Sequence, residues 1–344
     1  MQSVGVDISS LIEPREIELL ELSGKRIALD AFNVIYQFLT IIRDRMTGEP
    51  LRDSHGMVTS HLSGLLYRTS NLLESGMKPV FVFDGKPPAL KHATVQARIE
   101  QKEEAKKKWE AAVAAGEEAI KYAQAAAELT PDMVEHAKLL LDCMGVPWIQ
   151  APSEGEIQCA FMCKRGDVWA SGSQDYDSLL AGSPRLVRNL SITGKRKVPN
   201  KEVYIDVKPQ LIELEPTLAK LGITQDQLIV LGMLVGTDYS EGVKGVGPKS
   251  ALKLVQEHKT LGEVLEHVEW TSPVPPERVY EFIKNPPVAE KYELEWREPD
   301  AQKLREFMHG EHDFSAERVD KVIERLQAAW TKGRQSSLSG WLKK

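Results

Sequence analysis

Three short apolar runs that each end in acid constrain this chain most: KRIALD (25–30), PVFVFD (79–84) and DVWASGSQDYD (167–177). Each has the length of a strand buried on both faces. Helical stretches, including 57–75 and 132–144, lie between them. Strands that alternate with helices predict an α/β fold with a mostly parallel central sheet and helices on both faces. In such sheets, ligands bind in the crevice beyond the carboxyl ends of the strands. Asp30 and Asp84 stand at two such ends, and Asp175 and Asp177 follow the third run by a few residues. Glu154 and Glu156 sit in APSEGEIQ, where Pro152 and Ser153 predict a helix start. Asp238, in GTDYSEG, follows the apolar helix LIVLGMLVG.

Taken singly, each acid is explained as a helix or turn cap. Three strand ends with acids and two acid-x-acid pairs are more than capping predicts. Two unit charges ~4 Å apart repel by about 4 kcal/mol at an effective dielectric near 20. Several such pairs would exceed a typical total stability of ~5–15 kcal/mol. The cluster therefore binds cations or stays partly protonated. Oxygen ligands alone select hard ions, Mg²⁺ with Mn²⁺ as substitute, rather than zinc. Two such ions roughly 4 Å apart suit in-line attack of water on a phosphodiester.

The formal net charge of −6 at first argues against nucleic acid as partner. Exposed charges are screened beyond about 8 Å, however, so distribution matters more than the total. Acids concentrated at one metal site leave the remaining surface free to be basic. No run approaches the roughly 18 apolar residues that span a bilayer, and the amino terminus lacks a signal pattern. These features predict an intracellular, cytoplasmic protein with no membrane partner. Three cysteines, Cys143, Cys159 and Cys163, fit that compartment. Cys159 and Cys163, four apart among apolar neighbours, read as a buried helix face rather than a zinc site.

Residues 89–130 are rich in Ala, Glu, Lys and Gln and predict a long helical excursion. Only Trp109, Ile120 and Tyr122 offer it much to bury, so it reads as an exposed hairpin or a mobile gate. Residues 224–260 predict two helices joined by the turn GVKGVGPK (242–249). Proline rises over 271–300, amphipathic helix returns over 301–330, and TKGRQSSLSGWLKK after Trp330 predicts a flexible tail.

The runs LDAFNVIYQFL, VFVFDGKPPALK, APSEGEIQCA, SGSQDYDSLL and GTDYSEGVKGVGPK resemble, in order, those of archaeal flap endonucleases in the structure-specific 5′ nuclease superfamily. The resemblance runs from about residue 5 to the last residue. It implies a helical arch insertion and a helix-hairpin-helix DNA-binding element within the α/β fold. The implied layout is an N-terminal nuclease region at 1–101, the arch at 102–130 and an internal nuclease region at 131–262 containing the helix-hairpin-helix (224–260). A C-terminal helical region at 263–330 and a sliding-clamp-binding tail at 335–344 complete it.

Residue by residue, the resemblance implies that Asp30, Asp84, Glu154, Glu156, Asp175, Asp177 and Asp238 bind two Mg²⁺. The first four lie nearer one ion and the last three nearer the other. Lys91 and Arg98, seven apart and so on one helix face, match residues that hold the scissile phosphate and offset transition-state charge. Tyr36, by itself a core residue, corresponds to a tyrosine on which a base stacks. Arg43 and Arg68 match DNA-contacting arginines, and Glu154, Gly236 and Asp238 join that set. Gly245 and Gly247 let backbone N–H groups approach a DNA phosphate while Lys249 adds charge. The same hairpin often holds a monovalent cation.

Gln335, Leu338, Trp341 and Leu342 have the spacing of a peptide that binds the sliding clamp, PCNA. Leu342 departs from the family pattern, which usually ends in two aromatics. Gly5, preceded by residues that include Met1, Gln2 and Ser3, takes the place of an early glycine near the active site. Ala181 stands where many relatives carry an aromatic. The implied activity is a 5′ flap endonuclease, with 5′–3′ exonuclease or gap activity, acting as a monomer on branched DNA in Okazaki fragment maturation and repair. Two alternatives are a related nuclease preferring bubbles or junctions and a non-catalytic clamp-associated scaffold. The clamp-like tail and moderate gate weigh against the first, and the seven acids against the second.

Overall fold

The three acid-ended runs become neighbouring strands. The computed structural model describes residues 5–44, 47–91, 100, 103–109, 111, 120–125, 127–197 and 204–341. Its strands are β1 (Arg15–Glu16), β2 (Arg26–Asp30), β3 (Lys78–Phe83), β4 (Trp148–Gln150), β5 (Ala170–Gly172), β6 (Arg185–Arg188), β7 (Gly194–Lys197), β8 (Tyr204–Val207) and β9 (Gln210–Glu213). Seven form one sheet in the order β1-β9-β6-β5-β2-β3-β4, and β7 pairs with β8. From β6 to β4 the pairings are parallel, whereas β9 and β1 add an antiparallel edge. The mostly parallel sheet is as expected. Its antiparallel edge strands, two and four residues long, are too short to announce themselves by pattern.

Alternate residues of the central strands feed different cores, as a two-residue period requires. Ile27, Leu29, Phe81 and Phe83 pack with helices Ala31–Ile41, Ser60–Glu74 and Pro131–Cys143. Ala28, Val80 and Val82 pack with Cys159, Met162 and Cys163 of helix Gly155–Arg165. The sheet is thus covered on both faces, and the cysteines are free and buried as expected. The chain runs from β2 to β3 and β4 on one side, then returns to β5 on the other. That reversal places a topological switch point beside β2, where open α/β sheets form their crevices.

Helices Gln225–Val235 and Pro248–His258 form the expected pair. The first begins on a capping box, in which Thr224 and Gln227 satisfy each other's backbone N–H groups. The second begins with Pro248 at a position that needs no donor. In the gate segment, 103–109 and Ile120–Ala125 are helical, while Arg98 lies outside the described residues.

Two expectations near the C-terminus need correcting. The amphipathic helix expected over 301–330 is interrupted: Ala301–Arg305 leads into a π-helical turn, Glu306–Glu311, before a second helix starts at Ala316. The flexible tail after Trp330 is instead a continuation of that helix, which spans Ala316–Trp341 and includes Gln335 and Leu338. Val319, Val322, Ile323 and Leu326 anchor its first half in the core. Extending an anchored helix adds a bond per residue without the cost of nucleation, and no proline stops it. Leu342 lies outside the described residues. Among the described residues no single helix is long and apolar enough to cross a membrane.

Candidate metal centre

Four of the acids, Asp30, Asp84, Glu156 and Asp177, accept from a backbone N–H, and Glu154, Asp175 and Asp238 meet side chains. Asp30 ends β2 and caps helix Ala31–Ile41, its Oδ1 accepting from Asn33 N at 3.0 Å. Asp84 follows β3, and its Oδ1 accepts from Gly155 N at 2.7 Å. Helix Gly155–Arg165 begins against the strand end there. A Cβ on Gly155 would fall 2.7 Å from Val82 O and 2.9 Å from Asp84 Oδ1, so this approach requires glycine. Glu154 is the residue before that helix, and Glu156 is in its first turn, so the helix starts slightly later than Pro152 and Ser153 suggest. Glu156 Oε1 accepts from Ser178 N at 3.0 Å. Asp175 accepts from Asn33 Nδ2 at 3.0 Å, and Asp177 from Val6 N at 3.2 Å. Asp238 sits in a turn closed by bridging of Thr237 and Ser240. Capping and clustering therefore coexist.

Burial and mutual repulsion join these acids into one electrostatic unit. Burial first, and then Asp175, push Asp30 up to about 6 against the stabilising bond from Asn33. Burial followed by Asp30 and Glu154 pushes Asp84 up to about 8. Burial, with Asp238 next, pushes Asp177 up to about 7. Glu156 rises well above the usual carboxylate range through burial and then through Asp177, Asp175 and Asp30. Every one of the seven acids enters at least one of these couplings.

Lys91, at the end of the short helix Ala89–Lys91, reaches into the cluster. Its Nζ meets Glu154 Oε1 and lies 2.7 Å from Asp238 Oδ2. Burial opposes its charge, but Glu154 and Asp238 outweigh burial and raise its pKa. Gly5 lies against the acids: a Cβ there would lie 2.1 Å from Asp177 Oδ2 and 3.3 Å from Asp175 Cβ. The early glycine thus approaches the acids as the resemblance implies.

Among the described residues, no three His, Cys, Asp or Glu side chains converge tightly enough to grip an ion as they stand. Lys91 bridges Glu154 and Asp238 instead. The donor set nevertheless fits hard divalent cations, because its ligands are all carboxylate oxygens and their repulsion calls for positive charge. Cys159 is close enough to feel Asp30, Glu156 and Asp84, yet burial keeps it a protonated thiol, which leaves no soft ligand.

The other candidate DNA residues have their own surroundings. Tyr36 is half-buried against the core. Arg43 donates to the carbonyls of Leu39 and Gly48 at 2.7 and 2.8 Å, and Arg68 to those of Ser191 and Thr193 at 3.0 and 2.8 Å. Both guanidiniums therefore brace backbone, whatever else they touch. Gly245, Gly247 and Lys249 are exposed on the hairpin, and Gly236 adopts a φ of 115°.

The fold resembles that of flap endonuclease-1 from Methanococcus jannaschii, which is 39% identical with a TM-score of 0.74 over 95% of this chain and 99% of that one. It also resembles the catalytic core of Rad2 solved in complex with DNA substrate, 27% identical with a TM-score of 0.69 over 93% and 97%. The XPG N-terminal domain pattern matches residues 6–105 and the XPG I-region pattern residues 145–238. Flap endonuclease 1 of Hyperthermus butylicus is 54% identical over 99% of this chain and 100% of its own length. That of Aeropyrum pernix is 55% identical over 98% and 99%. This chain belongs to the flap endonuclease family. All seven acids lie within the two stretches matched by the XPG patterns.

For this flap endonuclease family member, sequence reasoning passed over three supporting residues: Asn33, Ser178 and Tyr239. Asn33 touches Asp30 through its backbone and Asp175 through its side chain. Its place in LDAFN, one turn after a strand-end acid, was a usable cue. Nothing local in the sequence pairs Tyr239 with Glu154, because their contact spans 85 residues. Ala181 packs at the edge of a further core, formed by Leu179, Leu180 and helix Gln225–Val235, consistent with a packing role.

Proposed function

We infer that this chain is a structure-specific 5′ flap endonuclease, with 5′–3′ exonuclease or gap activity, that hydrolyses DNA phosphodiesters near the flap junction. The observation that carries this reading is the cluster of seven mutually repelling acids, buried or half-buried at the sheet's switch point and facing Lys91. Asp30, Asp84, Glu154 and Glu156 would hold one Mg²⁺, and Asp175, Asp177 and Asp238 a second. Bound there, the pair would activate the attacking water and stabilise the leaving oxygen.

The chain's own groups supply the rest. Glu154 and Asp238, which pair with Lys91 here, would hold the cations, and Lys91 with Arg98 would then hold the scissile phosphate. A preorganised cation there offsets charge that develops in the transition state. Tyr36 offers a ring on which a base stacks without regard to sequence. Arg43, Arg68, Gly236, Gly245, Gly247 and Lys249 contact DNA, and backbone and charge at the 242–249 hairpin position the duplex. The 242–249 hairpin would also hold a monovalent cation, which would add to that grip.

The residues Gln335, Leu338, Trp341 and Leu342 form a clamp-binding tail for PCNA. The protein acts as a monomer inside the cell, in replication and repair. End-labelled flap, bubble and four-way-junction substrates, each incubated with Mg²⁺ or with EDTA, test this reading. We expect Mg²⁺-dependent cutting of the flap far ahead of the others. Preference for bubbles or junctions would favour a related nuclease, and binding without cutting would favour a scaffold.

A further inference from the structure

Glu154 divides its two oxygens between unlike partners. Oε1 meets the Lys91 ammonium, and Oε2 accepts from the Tyr239 hydroxyl. The ring of the same tyrosine lies beneath that ammonium, with Nζ 5.6 Å from its centroid, within reach of a cation–π attraction. Tyr239 also follows Asp238 in the turn that carries this acid. Its N donates to Thr237 Oγ1 at 3.1 Å, and its ring meets Phe282 edge-on at 4.9 Å. The residue is buried, at 8% exposure. It therefore touches one acid of the cluster, adjoins a second in the chain and supports the lysine that bridges both.

The two partners of Glu154 differ in what they tolerate. An ammonium and divalent cations repel each other and compete for the same carboxylates. A neutral hydroxyl does neither. When Lys91 leaves, Oε1 loses its partner while Oε2 keeps its own. The hydroxyl is already the donor in this contact and needs no charge of its own to remain one.

We propose that Tyr239 is a positioning residue whose hydroxyl keeps the Glu154 carboxylate aimed while Lys91 exchanges its carboxylate partners for the scissile phosphate. The ring is the surface from which the ammonium departs and to which it returns. The inference rests on the flap-nuclease reading above.

A double-mutant cycle between Tyr239→Phe and Glu154→Ala tests it. Phenylalanine keeps the ring against Phe282 and under Lys91 and removes only the donor. Three quantities are measured on the full chain: single-turnover flap cleavage in Mg²⁺, flap binding in EDTA, and Mn²⁺ binding to DNA-free protein by electron paramagnetic resonance. Losing a hydrogen bond to a charged group corresponds to a cleavage rate lower on the order of tenfold. We expect that loss in Tyr239→Phe, with Mn²⁺ binding weakened severalfold and flap binding in EDTA unchanged within about twofold. In the Glu154→Ala background the same substitution should change rate and Mn²⁺ binding by less than about twofold, because the acceptor is gone. Wild-type rate and Mn²⁺ affinity in Tyr239→Phe would overturn the proposal. So would equal losses in both backgrounds, which general loosening of the fold produces. If the wild-type protein fails to cut flaps, the flap-nuclease reading itself falls, and the Mn²⁺ cycle still reports on the Tyr239–Glu154 coupling.

Discussion

At the acid cluster and at the 242–249 turn, the chain uses glycine against opposite surroundings. A Cβ on Gly155 would meet Val82 O at 2.7 Å and Asp84 Oδ1 at 2.9 Å, and one on Gly5 would meet Asp177 Oδ2 at 2.1 Å. At Gly245 and Gly247 nothing lies within 4 Å of such an atom. The first pair is crowded from within the molecule, because like charges stay together only where backbone and helix start hold them rigidly. In the second pair, Gly245 answers to its own backbone, at a φ of 82°, while Gly247 is exposed and needs no missing side chain for its own packing. Crowding at the acids and conformation or exposure at the turn thus place the same residue type under different constraints.

The strongest way to break this comparison is to attack the acid cluster and leave the hairpin intact. Asp175→Ala should lower flap cleavage by at least about a thousandfold, since metal-dependent stabilisation supplies several kcal/mol to the transition state. Flap binding measured by gel shift should stay within a fewfold of wild type. Normal cutting by this variant would remove the acids from the chemistry.

The cost of gathering the acids should next appear as pH-dependent stability in EDTA. Asp30, Asp84 and Asp177 have folded values raised to about 6, 8 and 7 from an ordinary 3.8. Between those limits the folded state holds more protons than the unfolded state, so stability falls as pH rises. Their contribution is fully present below about pH 4 and is lost as pH climbs through the folded values, up to about pH 8. The melting temperature of metal-free protein should drop by several degrees over that interval relative to Asp84→Asn, as read by calorimetry. Parallel curves for the two proteins would mean that Asp84 bears no such repulsion.

Gly155→Ala sharpens the comparison. Overpacking of this kind costs about 1–3 kcal/mol, measurable by chemical denaturation. Gly247→Ala should leave stability within about 0.5 kcal/mol while weakening flap binding, because its new methyl meets only DNA. The smallest effect is expected for Lys249→Ala. It should weaken binding alike on all sequences and reduce the slope of log affinity against log salt by about one. A sequence-dependent loss would contradict a phosphate contact.

Much of this was readable along the chain. Asp30 and Asp84 could be placed because a buried strand is a short apolar run and its end is where the run stops. The helix pair around GVKGVGPK was visible in its glycines and Pro248. The C-terminal helix was misread because TKGRQSSLSGW is polar, whereas its helicity depends on Val319, Val322, Ile323 and Leu326 packing earlier in the same helix. The antiparallel edge escaped because two- and four-residue strands carry too little pattern.

By itself, the sequence determined the three acid-ended central strands, the helix pair around the 242–249 turn and the family to which the chain belongs, all consequences of local periodicity and contiguous motifs. Only the tertiary structure decided that Lys91 bridges Glu154 and Asp238, that Asn33 steadies Asp175 and that Tyr239 holds Glu154. Those contacts join residues from 63 to 147 positions apart, by subtraction of their residue numbers. They exist because burial brings distant side chains together and then makes every unpaired charge costly.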